Sequence, residues 1–449
     1  MFQPFHSFLS SLRDISEEGY EILLRKPLFL IGAQGTKVRG MFLGLPRNQA
    51  VTIYAGILWV IPIAMVSPYL SLYMVSLGLS KTEVGVYQSL AKFISLVFLF
   101  LGGYFSDVWG RKKSLVFFDA LSWGGYCLTL ALASNKWWCV AALFFMATNA
   151  ASGPAYFCLL SEGVVSKSRA VVLMVLQMVN MAPFLLFFPL MGGIWVSHRG
   201  MVTANHEMYW LFTAFVTVGI VLRWKLLPDS GIYEKSSESW FHSFRDGLRQ
   251  YREAARNFFK KPIARTLLLS KFFDEWIIAS WTIYSSLYYA DYLGLKVSYL
   301  AVLSQGSAYV AFFTLFLVIP TISEKQMVRI LGVDQLFGLA SFGLLLFLAR
   351  ESGSVLLVCL LSASLGAIGG AFYGSISAAV WMNIMGEKER AKVVAASSAF
   401  VQVGLLTVSG AALLYGHVSP ASLLWLMIAM RVLNFVLLRR VAGLIDFNS

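Results

Sequence analysis

Apolar residues run through this chain in stretches of about twenty or more, interrupted by short clusters of charge, glycine and proline. A helix needs about 20 apolar residues to cross the hydrocarbon core of a bilayer, so each stretch predicts a spanning helix. Twelve are expected, near 50–77, 82–106, 114–133, 137–161, 170–196, 208–227, 263–290, 295–320, 328–349, 354–381, 392–415 and 421–440. Two other segments carry a different pattern. In the one before the seventh stretch, apolar residues at 240, 241, 244, 248, 251, 255, 258 and 259 recur at helical spacing, flanked by Arg and Lys. This reads as an amphipathic helix in the membrane interface ending at its proline, or else as a solvated linker helix. Five segments follow: a cytoplasmic N-terminal segment 1–49 with a similar interfacial helix, a helical bundle 50–227, a loop 228–262, a second bundle 263–440 and a tail 441–449.

Composition agrees with a bilayer setting. Of 449 residues, 58% are hydrophobic and 13% charged, against about 45–50% and 25% in soluble domains. The same numbers exclude disorder. A net charge of +13 would suggest nucleic acid in a soluble protein, yet here the placement of the 36 Lys and Arg residues carries the information. With both termini cytoplasmic, 28 fall on inward segments and five, Lys81, Lys136, Arg199, Lys296 and Arg350, on outward loops. That bias predicts cytoplasmic termini in a plasma membrane or bacterial inner membrane, with the lipid bilayer and no nucleic acid as partner. Cys127, Cys139, Cys158 and Cys359 lie in apolar stretches without metal spacing and read as buried thiols. The N-terminal residues lack the pattern of a secretory signal, so the spanning helices themselves are expected to drive insertion.

The chain is also internally repeated. Leu72-Tyr73 returns as Leu287-Tyr288, Asp119 as Asp334, Trp210-Leu211 as Trp425-Leu426 and Ala214 as Ala429, all 215 residues apart, and Leu77-Gly78-Leu79 returns as Leu293-Gly294-Leu295 at 216. The stretch from Phe5-His6-Ser7-Phe8 to Lys26-Pro27 is echoed by Phe241-His242-Ser243-Phe244 to Lys261-Pro262. One shared register implies duplicated halves. Residues 28–49 have no counterpart and suggest no role.

Between the second and third stretches stands Gly103-Tyr104-Phe105-Ser106-Asp107-Val108-Trp109-Gly110-Arg111-Lys112-Lys113. Gly103 would let a neighbouring helix approach closely, Asp107 would pair with Arg111 or face a helix N-terminus, and Gly110 would permit a tight turn. Arg111, Lys112 and Lys113 would hold the loop on the cytoplasmic side. The run resembles the signature loop of the major facilitator superfamily, G-x-x-x-D-x-x-G-R-[RK]-[RK]. The resemblance covers about residues 50–440. It implies an all-α membrane fold of twelve helices in two six-helix bundles related by a parallel pseudo-twofold repeat. It also implies that Asp107 latches against an eleventh helix beginning near Ala391, the loop otherwise being only a topological anchor. Pro189-Leu190-Met191-Gly192-Gly193 resembles the end of a motif found in exporters of the family, although Phe188 stands where that motif has glycine.

A charge near the bilayer centre costs about 2.5–3.5 kcal/mol on insertion scales, so each one needs a partner, a wet cavity or a task. Lys92, Asp119, Lys271, Asp274, Glu275, Asp334 and Arg431 fall inside predicted spans. Asp274 and Glu275 lie about 14 Å along the seventh helix from Arg265, near the midplane. Lys271 is three and four residues away on the same face, which continues through Ile278, Thr282, Ser285 and Tyr289. The resemblance makes this helix a wall of a central cavity. Glu275 or Asp274 is then the expected proton carrier, the alternative being a structural Lys271–Glu275 pair. Lys92 would bind an anionic substrate or extend outward to water. Asp119 and Asp334 hold matching positions, read as a shared structural or coupling role with basic loop residues such as Arg169 and Arg390. Arg431 is read as structural. Uncharged cavity candidates are Trp59, Asn149, Gln177, Asn180 and Tyr373, with Thr282 and Ser285.

The expected function is secondary active transport of a small solute by alternating access, coupled to protons, with export of amphipathic or drug-like compounds favoured by the Pro189 motif. Import of a nutrient such as a sugar or organic anion is the alternative, and a lipid flippase or intramembrane enzyme a distant one. No phosphate loop, cofactor or metal site is read from the sequence, and no HExxH occurs, so no enzyme is expected. A monomer is expected.

Overall fold

In the computed structural model, the described residues are 45–161, 166–228, 262–318, 327–350, 353–384 and 399–446, with 256, 260 and 397. The expected interfacial helices of 1–49 and 228–262 therefore lie largely outside them. Eleven helices are long and apolar enough to cross a membrane: α1 (Arg47–Ser76), α2 (Lys81–Ser106), α3 (Arg111–Ala131), α4 (Lys136–Leu160), α5 (Val175–Arg199), α6 (Met201–Leu226), α8 (Tyr299–Val318), α9 (Met327–Leu348), α10 (Val355–Ser377), α11 (Ala399–Val418) and α12 (Pro420–Val441). The remaining helix, α7 (Pro262–Leu287), is equally long. Its composition sets it apart, because Arg265, Lys271, Asp274 and Glu275 dilute its apolar character.

Local chemistry sets the helix boundaries. Ser80 caps α2 reciprocally with Glu83: the Glu83 amide donates to Ser80 Oγ at 3.2 Å, and the Ser80 amide to Glu83 Oε2 at 2.8 Å. Asn135 caps α4 by accepting from the Trp137 amide at 3.0 Å. The duplicated Leu-Gly-Leu turns adopt matching backbones, with positive φ at Gly78 (99°) and Gly294 (68°). Gly110 is held at φ 85° and ψ 151° at the start of α3, a region open essentially to glycine alone.

Helices α1–α6 and α7–α12 pack as two halves that meet near the turns 77–80 and 293–298. Lys81 pairs with Asp291 at 3.0 Å, Tyr284 Oη donates to the Lys81 carbonyl at 3.3 Å, and Ser71 Oγ donates to the Ile283 carbonyl at 2.7 Å. Tyr284 also stacks on Tyr415 at 4.5 Å. A Cβ on Gly85 would strike the Tyr284 hydroxyl, and one on Gly192 the Met65 carbonyl, so these glycines set how closely the helices approach. Farther along, α5 is broken at 186–187. Pro189 has no N–H to give the Leu185 carbonyl. Tyr309 Oη of α8 supplies one at 2.6 Å, and Gln305 Nε2 lies at 3.5 Å.

Candidate functional site

The seventh helix carries its two acids into different surroundings. Asp274 turns into the second half. There its Oδ1 accepts from Gln335 Nε2 at 3.0 Å and from Arg431 Nη1 at 3.3 Å, and its Oδ2 from Asn434 Nδ2 at 3.0 Å. Asp334 shares two of these donors, its Oδ2 accepting from Gln335 Nε2 at 3.0 Å and Arg431 Nη1 at 3.2 Å. Gln335 Oε1 accepts from the same Nη1 at 3.0 Å. All five side chains are buried. Two carboxylates thus meet one guanidinium, and the cage is one positive charge short of neutral. Asp334 Oδ1 and Arg431 Nε are buried with no hydrogen-bond partner among the described residues.

Asp274, Asp334 and Arg431 also border a cavity of about 420 Å³, a volume within the range of small-molecule sites. Its walls combine hydroxyls, among them Thr282, Ser285, Ser304 and Ser307, with the rings of Trp281 and Tyr289. Small residues of α10, including Gly366 and Gly370, leave the space open, and the first half contributes Ser67 and Pro68. Ile278, Thr282, Ser285 and Tyr289, the face projected from the helical spacing, all line it. Tyr373 does so too, and its hydroxyl donates to Glu275 Oε1 at 3.0 Å. Lys271 interacts electrostatically with Glu275, while Asp274 has Arg431 instead.

Other sequence candidates fall elsewhere. Trp59 is buried in the first half against Arg223, whose guanidinium carbon lies 4.2 Å from the indole centroid. Asn149 Oδ1 accepts from Ser152 Oγ at 3.2 Å inside the same half. Gln177 is exposed and Asn180 half-buried on α5, and neither borders this cavity. Lys92 is exposed, seven residues beyond Gly85 and so on the helix face that Gly85 turns to the other half. Asp119 pairs with Arg223, and Asp334 with Arg431. Side chains of Arg169 and Arg390 lie outside the described residues, as does that of Asp107. Arg223 looked like a loop charge because it stands in the last turn of α6, yet it is 5% exposed. Arg431, expected to be structural, is the centre of the cage. The signal available for both was an arginine in an otherwise apolar helix, opposite a repeated aspartate.

In the signature loop, Gly110 adopts the strained turn, and Lys112 lies over the Trp224 ring at 5.4 Å. Lys113 is exposed. A Cβ on Gly103 would meet open space, whereas one on Gly102 would collide with the Ala151 backbone. The close helix approach expected at Gly103 therefore belongs to its neighbour, which faces α4.

Twelve long helices among the described residues, in two repeated halves, with a ligand-sized cavity lined mainly by the second, are the architecture of a membrane transporter. Residues 52–407 match the Major Facilitator Superfamily, and the chain belongs to that family. None of the curated protein sequences matches it. Among solved structures, a nucleoside transporter, NupG, is similar at TM-score 0.65 and 10% identity, over 87% of this chain and 99% of its own. The human organic anion transporter MFSD10 (TETRAN) gives 0.61 at 15% identity, over 88% and 100%. A peptide transporter, POT, gives 0.67 at 13% identity, over 89% and 96%. At these identities the likeness concerns the fold.

Proposed function

We propose that this protein is a proton-coupled secondary transporter, and that the Asp274–Asp334–Arg431 cage is where the proton binds. The observation that carries the reading is the surplus buried carboxylate beside the cavity. Two acids on one guanidinium leave a net negative charge in a low-dielectric interior, and a proton cancels it. Asp334 Oδ1, which has no partner among the described residues, is the atom we assign to receive it. The orphan oxygen favours Asp334 over the two acids of α7 that the sequence alone put forward.

With the termini in the cytoplasm, the end held by Lys81–Asp291 faces outward. Loading a proton or a solute then alters the charge in the cavity and with it the balance between the two orientations of the halves. Hydroxyls beside aromatic rings suit an amphipathic solute, and the Pro189 segment of α5 supports export. A second reading, uptake of an organic anion, draws on Lys92 facing across the halves. Substrates named for the similar structures, nucleosides, peptides and organic anions, are the first compounds to try.

The test uses purified protein in liposomes with an entrapped pH-sensitive dye, to which nucleosides, dipeptides, organic anions and amphipathic cations are added in turn. Solute-dependent proton movement is expected in the native protein, and its loss in Asp334→Asn. Solute flux that ignores an imposed pH gradient and survives this substitution would refute proton coupling. The sign of the movement separates exchange from co-transport.

A further inference from the structure

The 215-residue register that relates the halves can be carried into the cage. It takes Asp334 to Asp119, Asp274 to Trp59, Asn434 to Gly219, Gln335 to Ala120 and Ser270 to Ala55. These counterparts are also together in space. Asp119 is ion-paired to Arg223 as Asp334 is to Arg431. Trp59 lies on Arg223 as Asp274 lies beside Arg431. A Cβ on Gly219 would run into the Trp59 ring, and at the matching pair Asn434 Nδ2 donates to Asp274. Each half therefore builds the same chamber from its first, third and sixth helices. One is furnished with Asp and Asn, the other with Trp and Gly. The arginines are the exception, since Arg223 maps to Leu438, seven residues or two turns from Arg431, which keeps the guanidinium on the same helix face.

The exchange changes the charge balance. In the second chamber two carboxylates face one arginine. The first has one of each, with Tyr156 and Ser152 beside Asp119 and the Thr52 carbonyl accepting from Arg223 Nη2 at 3.2 Å. Tryptophan in place of the second acid leaves that chamber neutral, and Arg223 gains the ring's negative face instead. The charged groups around the second chamber do not alter the difference, because Glu275 is offset by Lys271.

We propose that the two chambers are copies of one duplicated site, and that only the C-terminal copy takes up a proton, Trp59 occupying the place of the second acid in the N-terminal copy. This rests on the cage being the proton site, and it adds a count and a location: one proton per molecule, held by α7, α9 and α12.

Infrared spectroscopy of the full chain in lipid bilayers reads this without knowledge of the substrate. A buried protonated carboxyl gives a C=O stretch that shifts in D2O. One such band is expected in the native protein, lost in Asp334→Asn and unchanged in Asp119→Asn. Trp59→Asp combined with Gly219→Asn should roughly double its intensity. Loss of the band in Asp119→Asn as well as in Asp334→Asn would keep the proton reading and overturn the confinement to one half. A folded double variant with a single band would overturn the equivalence of the chambers. If that variant does not fold, Asp119→Asn still decides the location, and Trp59→Phe is expected to leave the band intact. Absence of any band that depends on Asp334 would overturn the proton site itself, and with it the inference.

Discussion

Replacing Arg431 with leucine removes the one cation of the cage while preserving apolar bulk. Its Nη1 lies 3.3 Å from Asp274 Oδ1 and 3.2 Å from Asp334 Oδ2. At an effective dielectric of about 20, each full-charge attraction at such distances is worth ~5 kcal/mol. Desolvation of all three groups offsets much of this, and removing one partner of a buried pair costs about 3–5 kcal/mol in practice. Arg431→Leu is therefore expected to lose about that much at pH 8, read as a lowered melting temperature in detergent by tryptophan fluorescence. Two buried negative charges are then uncompensated, so protonation relieves the strain. The deficit should be largest at high pH and shrink as pH falls. In an Asp274→Asn, Asp334→Asn background the same substitution should cost little, because no charge is left to neutralise. A variant that melts with the native protein at pH 8, or a deficit indifferent to both pH and the amide background, would refute the charge accounting.

Three further outcomes follow from particular contacts. Gly110→Ala forces a side chain into a backbone region that costs about 1–3 kcal/mol, so the melting temperature should fall even though nothing in the cavity changes. Tyr309→Phe leaves the Leu185 carbonyl with only the long Gln305 contact, an expected loss of about 1–3 kcal/mol if bilayer surrounds that carbonyl and no water reaches it; if melting is unchanged, water serves that carbonyl equally well. Lys81→Ala breaks a partly exposed pair worth at most ~1 kcal/mol, so spin labels across that end should show about a fivefold gain in the separated population, and Asp291→Ala should match it. A difference between those two variants would mean that one residue acts through another partner.

The number of membrane helices was legible from the spacing of apolar stretches, because a bilayer demands a fixed length of apolar chain whatever the neighbours are. Duplication was legible too, since repeated letters survive in one register, and Gly78 and Gly294 show the same backbone freedom at matching turns. Helical periodicity gave the shared face of α7 and the family resemblance made it a cavity wall; Ile278, Thr282, Ser285 and Tyr289 line the cavity, whereas Lys271 and Glu275 do not border it. Partners across helices were not legible. Proximity along α7 offered Lys271 to either acid; its charge interacts with Glu275, while Asp274, one residue and about 100° away, reaches Arg431 on another helix.

What the sequence determined by itself is thus everything that depends on the solvent and on local geometry: a membrane protein of duplicated halves, its family loop, and the acids that had to be accommodated. Only the tertiary structure decided which cation each acid meets. Arg223 and Arg431 lie 104 and 97 residues from Asp119 and Asp334, and no local rule links such positions. Burial of a charge selects its partner by distance in space, and helix packing sets that distance. For the same reason the difference between Asp274 and Trp59 acquires meaning only once each is seen beside its arginine.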